Sequence, residues 1–237
     1  MILILLAQLV TIDKGLESGV KESKPVLLFI HRNLWKGEEK AVKDVKETLG
    51  PVAGKIVIAH VDVQEHEEVV KRYELTNLDG TLVVLDPKLK AATTQQLGRL
   101  EKDEELTPDG IKALVENALK RFAVHEACRA AIDALWAALK KGDKDALKKS
   151  LWPVQVGKSG DKELDALLAE GSKAAEMWEQ LVYVSVTDGN AEKMKKLDET
   201  VEGLFKVKFD FVKGDKKDGT SMEVVQTKAG FFVVMGR

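Results

Sequence analysis

The spacing of apolar residues changes its rule near residue 123, and that change confines the chain to two successive architectures. From residue 11 to about 122, short apolar runs alternate with segments of helical period, the pattern of an α/β layer with helices packed on a largely central sheet. After Phe122 long helical stripes are followed by alternating strands, as in an α+β domain whose helices cover one antiparallel sheet. At roughly 100 to 200 residues per domain, 237 residues accommodate both. The expected division is 1–122 and 123–237.

Within the first half, Ile12, Leu16 and Val20 repeat at helical spacing and stop before Lys24-Pro25, which predicts a helix over 12–23. VLLFI (26–30), KIVIAHVDV (55–63) and TLVVL (81–85) are apolar without alternation, as strands covered on both faces should be. Ala41, Val42, Val45 and Leu49 stripe a helix ended by Gly50-Pro51, and TTQQLG (93–98) reads as an edge strand. Thr107-Pro108 offers an N-cap and an N1 proline to a helix carrying Ile111, Leu114, Val115, Leu119 and Phe122.

In the second half, Cys128, Ile132, Leu135, Trp136 and Leu139 form one helical face, which ends at Lys140-Lys141-Gly142. A short helix over 143–151 and an amphipathic one through Leu164, Leu168, Ala175 and Trp178 follow. Tyr183 lies on a strand among valines. In LFKVKFDFV (204–212) the aromatic and valine positions alternate with Lys206, Lys208 and Asp210, predicting one buried and one wet face. DKKDG (215–219) reads as a hairpin turn through its Asp-Gly, and SMEVVQT and FFVVM complete a meander.

Composition narrows the function classes. With 44% hydrophobic and 32% charged residues the chain can build real cores. Its 37 basic and 39 acidic residues leave a net charge of -2, so no broad attraction for nucleic acid or an acidic membrane is expected. Cys128 is the single cysteine, which excludes an intrachain disulfide, a CxxC pair and a cysteine zinc cluster. His31, His60, His66 and His125 show no metal-ligand spacing, and neither a metal nor another cofactor is expected; His125 is read as solvent-facing. No run reaches the ~20 apolar residues of a membrane span. The leading MILILLAQLV lacks a positive n-region and a cleavage site, and is read as a first strand or a trimmed signal remnant, which leaves the compartment open.

IDKGLESGVKESKPVLLFI, LWKGEEKAVKDV and VDVQEHEEVVKRYEL followed by TLVVLDP resemble, in order, successive elements of the thioredoxin superfamily over residues 11–122. The resemblance implies that Trp35-Lys36-Gly37-Glu38-Glu39-Lys40 stands where the family has Trp-Cys-Gly-Pro-Cys-Lys. Lys36 and Glu39 then occupy the cysteine positions, and neither can form or exchange a disulfide. The family's buried acid falls at Ile30, and its cis-proline loop reads Leu78-Asp79-Gly80-Thr81, without proline. Thiol–disulfide oxidoreductase activity is excluded by that chemistry. The same corner, with Trp35, Lys36, Gly37, Glu38, Glu39, Asp79 and Gly80, is a candidate binding surface; alternatively its acidic residues only complement a helix dipole and Trp35 covers the core.

AIDALWAALKKGDKDALKKSLWP and the closing strands around Ala229-Gly230-Phe231 resemble the cone-shaped, cystatin-like α+β domains of the nuclear transport factor 2-like superfamily. Such a cone implies a pocket between sheet and helices, a binding cavity or a dimer face, with Asp133 and Tyr183 as candidate pocket residues. Each also has a plain reading, Asp133 as a solvated helix carboxylate and Tyr183 as a packing residue with its hydroxyl near water. Cys128, on an apolar stripe, reads as an inert small hydrophobe. The expected function is a non-catalytic binding or scaffold protein taking a protein partner or a small apolar ligand, with a possible homodimer through the C-terminal sheet. An enzyme with an acid/base site in the cone is the alternative, and an oxidoreductase by family membership alone is the weakest.

Overall fold

The computed structural model describes residues 10–31, 45–62, 81–90, 96–100 and 107–235. The chain divides into two compact units, Met1–Ala123 and Val124–Arg237.

The first unit is a mixed α/β layer. Its strands β1 (Val10–Thr11), β2 (Val26–His31), β3 (Val57–Asp62), β4 (Thr81–Leu85) and β5 (Gln96–Leu100) form one sheet in the order β1-β3-β2-β4-β5. The pairs β1·β3 and β2·β3 are parallel, whereas β2·β4 and β4·β5 are antiparallel. Alternate residues of β2 enter opposite cores, as the unbroken apolar run requires. Leu27 packs with Ile58, Leu82, Val84 and the helix residues Ile111 and Val115. Val26, Leu28 and Ile30 pack with Ala59, Val61 and Val83 beneath Ile12 of helix α1 (Ile12–Glu22).

Helix α1 can lie this close because two of its residues have no side chain. A Cβ on Gly15 would stand 2.5 Å from the Ala59 Cβ, and one on Gly19 would stand 2.7 Å from Val26 Cγ2 and 2.9 Å from the Lys24 carbonyl oxygen. The helix stops at Ser23, which adopts a left-handed φ of 51°, while Lys24 donates its N–H to the Gly19 carbonyl at 2.9 Å.

Two boundaries differ from expectation. Residues Gly50–Lys55 form a 3₁₀ helix with Pro51 in its first turn, so the strand expected from residue 55 begins at Val57. The edge strand expected over 93–98 spans Gln96–Leu100, and residues 91–95 lie outside the described residues.

Helix α2 (Pro108–Lys141) runs for 34 residues without interruption, and the division between the units falls within it. In the second unit it is followed by α3 (Lys144–Ser150), α4 (Pro153–Lys158) and α5 (Asp161–Met177). Asp143 caps α3, its Oδ1 accepting from the N–H groups of Asp145 at 3.1 Å and Ala146 at 3.0 Å. The strands β6 (Gln180–Asp188), β7 (Val201–Lys213), β8 (Lys216–Thr227) and β9 (Gly230–Val234) make an antiparallel sheet in sequence order, with the one-turn helix α6 (Glu192–Lys195) between β6 and β7.

The β7–β8 turn is not where the Asp-Gly pair suggested. Lys213 faces Lys216, so the loop is Gly214-Asp215, with Gly214 at φ +54° in the first central position. Gly219 instead sits within β8 opposite Asp210, where a Cβ would stand 3.2 Å from Asp210 Oδ1. Asp210 itself was expected to meet water; it is buried at 7% exposure, its Oδ2 in an ion pair with Lys217 Nζ at 2.8 Å. A side chain at 219 would crowd this carboxylate.

Candidate functional site

The second unit contains a cavity of about 210 Å³ between its helices and its sheet. Its helical wall is the stripe Ile132, Leu135, Trp136 and Leu139 of α2, spaced at 3.6-residue periodicity so that one face points to the sheet. Opposite stand Phe209 and Phe211, whose two-residue spacing on β7 puts both on the helix-facing side. Leu167, Gly171 and Ala174 of α5, Leu151, Leu181 of β6, Met222 of β8, and Val233 to Met235 at and just past the end of β9 complete the lining. All fifteen lining residues are apolar or glycine. No lining side chain carries an ionisable group or a hydroxyl.

Aromatic packing stiffens one wall. The Trp136 and Phe211 rings lie 5.0 Å apart at 36°, Phe209 meets Phe211 edge-on at 5.3 Å, and Trp178 stacks on Phe211 at 5.9 Å. Lys140 places its ammonium 5.3 Å from the Trp136 ring centroid and donates to the Glu179 carbonyl at 3.1 Å. On the opposite side Gln155 of α4 pairs with the backbone of Met235, accepting its N–H at 2.8 Å and donating to its carbonyl at 3.2 Å. That side chain holds a piece of the cavity wall as a neighbouring strand would.

Asp133 and Tyr183, the candidates for acid–base work, are brought together, but neither lines the cavity. The Tyr183 hydroxyl lies 2.6 Å from Asp133 Oδ1 and 3.1 Å from the Arg129 carbonyl oxygen. Burial, reinforced by the adjoining carboxylate, pushes the Tyr183 phenol far above its ordinary range, so it remains a neutral donor. Asp133 is exposed on its helix, and Tyr183 is buried at 9% with Phe209 edge-on to its ring at 6.2 Å. The pair therefore ties α2 to β6.

The preceding two turns of α2 also hold buried groups, of which the sequence marks only Cys128 as core-facing. His125 is buried at 6%, against the solvent-facing position expected of a residue beginning a helix. The reason is the continuity of α2: His125 is an interior residue on the stripe that runs through Cys128, Ile132 and Leu135. Arg129, one residue off the stripe, is buried and forms a salt bridge with Glu126. Its sequence signal is a cation between Cys128 and Ile132, which reads as solvated until the strand opposite is known. Cys128 is fully buried, and desolvation pushes its thiol up to about 12, with Asp188 adding to the rise and Arg129 opposing it.

Trp35, Lys36, Gly37, Glu38, Glu39, Asp79 and Gly80 lie outside the described residues. Among the described residues there is no group of three or more His, Cys, Asp or Glu placed to hold a metal ion, and no helix is long and apolar enough to cross a membrane. No protein-family model and no curated protein matches the chain.

Proposed function

We propose that this chain is a non-catalytic binding protein, in which a redox-dead thioredoxin-like domain is followed by a nuclear transport factor 2-like domain that holds a small apolar ligand. The strand order β1-β3-β2-β4-β5, with its parallel and antiparallel pairs, supports the first reading, and helices laid over a four-stranded antiparallel sheet support the second. One observation carries the function. The cavity between those helices and that sheet is lined by fifteen residues that offer no side-chain acid, base or nucleophile, while Tyr183 and Asp133 are engaged with each other away from it.

Binding to the folded state alone raises the unfolding temperature, and the rise grows with the logarithm of ligand concentration above the Kd. Thermal unfolding of the full chain with a panel of small apolar compounds, both chains and rings, tests the proposal. At least one compound raises the midpoint, and the rise disappears in Ala174→Phe, which places a ring into the cavity from an exposed position on α5. A panel without any shift overturns it.

A further inference from the structure

Resting on that reading of the cavity, we infer that its ligand is an uncharged aromatic molecule of one or two fused rings, held by ring packing and shape with no charged partner among the lining side chains. Size sets the first limit. An apolar cavity of about 150 Å³ stays dry and accepts benzene, so one of about 210 Å³ has room, by proportion, for on the order of eight to ten heavy atoms. Indole and naphthalene have that size.

Charge sets the second limit. A carboxylate inside this cavity would shed its hydration against a lining that carries no charged side chain, where the Trp136 indole N–H is the one strong side-chain donor among the fifteen residues. Lys140, a cation beside the aromatic wall, is already over the Trp136 ring and bonded to the Glu179 carbonyl.

Shape decides between a ring and an acyl chain of equal carbon count. A flexible chain loses rotamer freedom for every bond it orders, whereas a fused ring loses none. The wall it meets is itself aromatic. Phe209, Phe211 and Trp136 are arranged edge-on and tilted, so a further ring extends a network of favourable ring contacts.

The experiment titrates the full chain with naphthalene, indole, 1-naphthoate and decanol, by calorimetry and by tryptophan emission. Naphthalene and indole bind and change the emission, while 1-naphthoate, the same skeleton with a charge, binds about 100-fold more weakly. Ala174→Phe weakens naphthalene at least tenfold with unchanged circular dichroism. If that variant loses structure, Leu167→Trp fills the cavity from the same helix and serves instead. Trp136→Phe weakens naphthalene several-fold and removes most of the emission change, which locates the ring against that wall. Naphthoate binding as tightly as naphthalene, or decanol binding while both rings fail, overturns the inference and leaves the cavity a ligand site. Failure of every probe overturns the site as well.

Discussion

The Tyr183 hydroxyl and the Asp133 carboxylate meet across 2.6 Å, joining the first strand of the second sheet to the long helix. An acid and a phenol at hydrogen-bond distance could signal catalysis, but the phenol is held neutral and neither residue lines the cavity. Tyr183→Phe is expected to cost about 1–3 kcal/mol, the worth of a hydrogen bond to a charged acceptor, seen as a lower denaturant midpoint. Ligand affinity stays within twofold. A loss of binding that exceeds the loss of stability would put the hydroxyl back in the site.

Cys128 predicts both a reactivity and a pH profile. Its thiol, raised to about 12 from an ordinary 9.0, is protonated at neutral pH, so native protein reacts with a thiol reagent no faster than it unfolds, and insulin reduction stays at background. A folded-state pKa above the unfolded one gives stability that is full below pH 9 and declines as pH rises toward 12. The slope is at most about 1.4 kcal/mol per pH unit. Tyr183, raised in the same sense, adds to the decline above pH 10. Chemical denaturation from pH 7 to 11 shows the fall, and Cys128→Ala removes the part that begins near pH 9 while leaving the Tyr183 part above pH 10.

Gly15→Ala and Gly19→Ala should each destabilise the first unit by roughly 1–3 kcal/mol, the usual cost of overpacking, although alanine is the better helix former by about 1 kcal/mol. The obstacles are an Ala59 Cβ at 2.5 Å and a Lys24 carbonyl at 2.9 Å, both fixed by the backbone. Gly54→Ala, with no atom within 4 Å of its Cβ, is the control. Midpoints of urea unfolding separate the three variants.

Asp198 accepts from the Thr200 hydroxyl at 2.7 Å and its N–H at 2.9 Å, and from Trp152 Nε1 at 3.4 Å. Those donors, the Thr200 hydroxyl foremost, hold its carboxyl below the ordinary 3.8. A depressed pKa contributes stability above 3.8 that is lost as pH falls through the folded-state value. Asp198→Asn should therefore lower stability at pH 7 and reduce its dependence on pH below 4, measured by thermal unfolding. An unchanged acid limb would refute the assignment.

Legibility in the sequence followed the range of the forces involved. β2 was readable because a strand buried on both faces must be apolar at every position, and the alternation of Phe209 and Phe211 with lysines announced the sheet face that now lines the cavity. Asp210 broke that rule: it stands opposite Gly219 across the sheet and pairs with Lys217 two pairs further along. His125 was misread for want of one fact, that α2 does not restart after Phe122. Nothing local marks Gln155 as the partner of Met235, since eighty positions separate them.

By itself the sequence determined that these 237 residues form no disulfide among themselves, because they hold a single cysteine, and that two patterns of burial succeed each other along the chain. Only the tertiary structure decided where the apolar stripes leave space unfilled and which polar residues the fold hides. A cavity is the difference between the volume that side chains occupy and the distance at which backbones settle, and that distance is set by contacts among residues far apart in the chain.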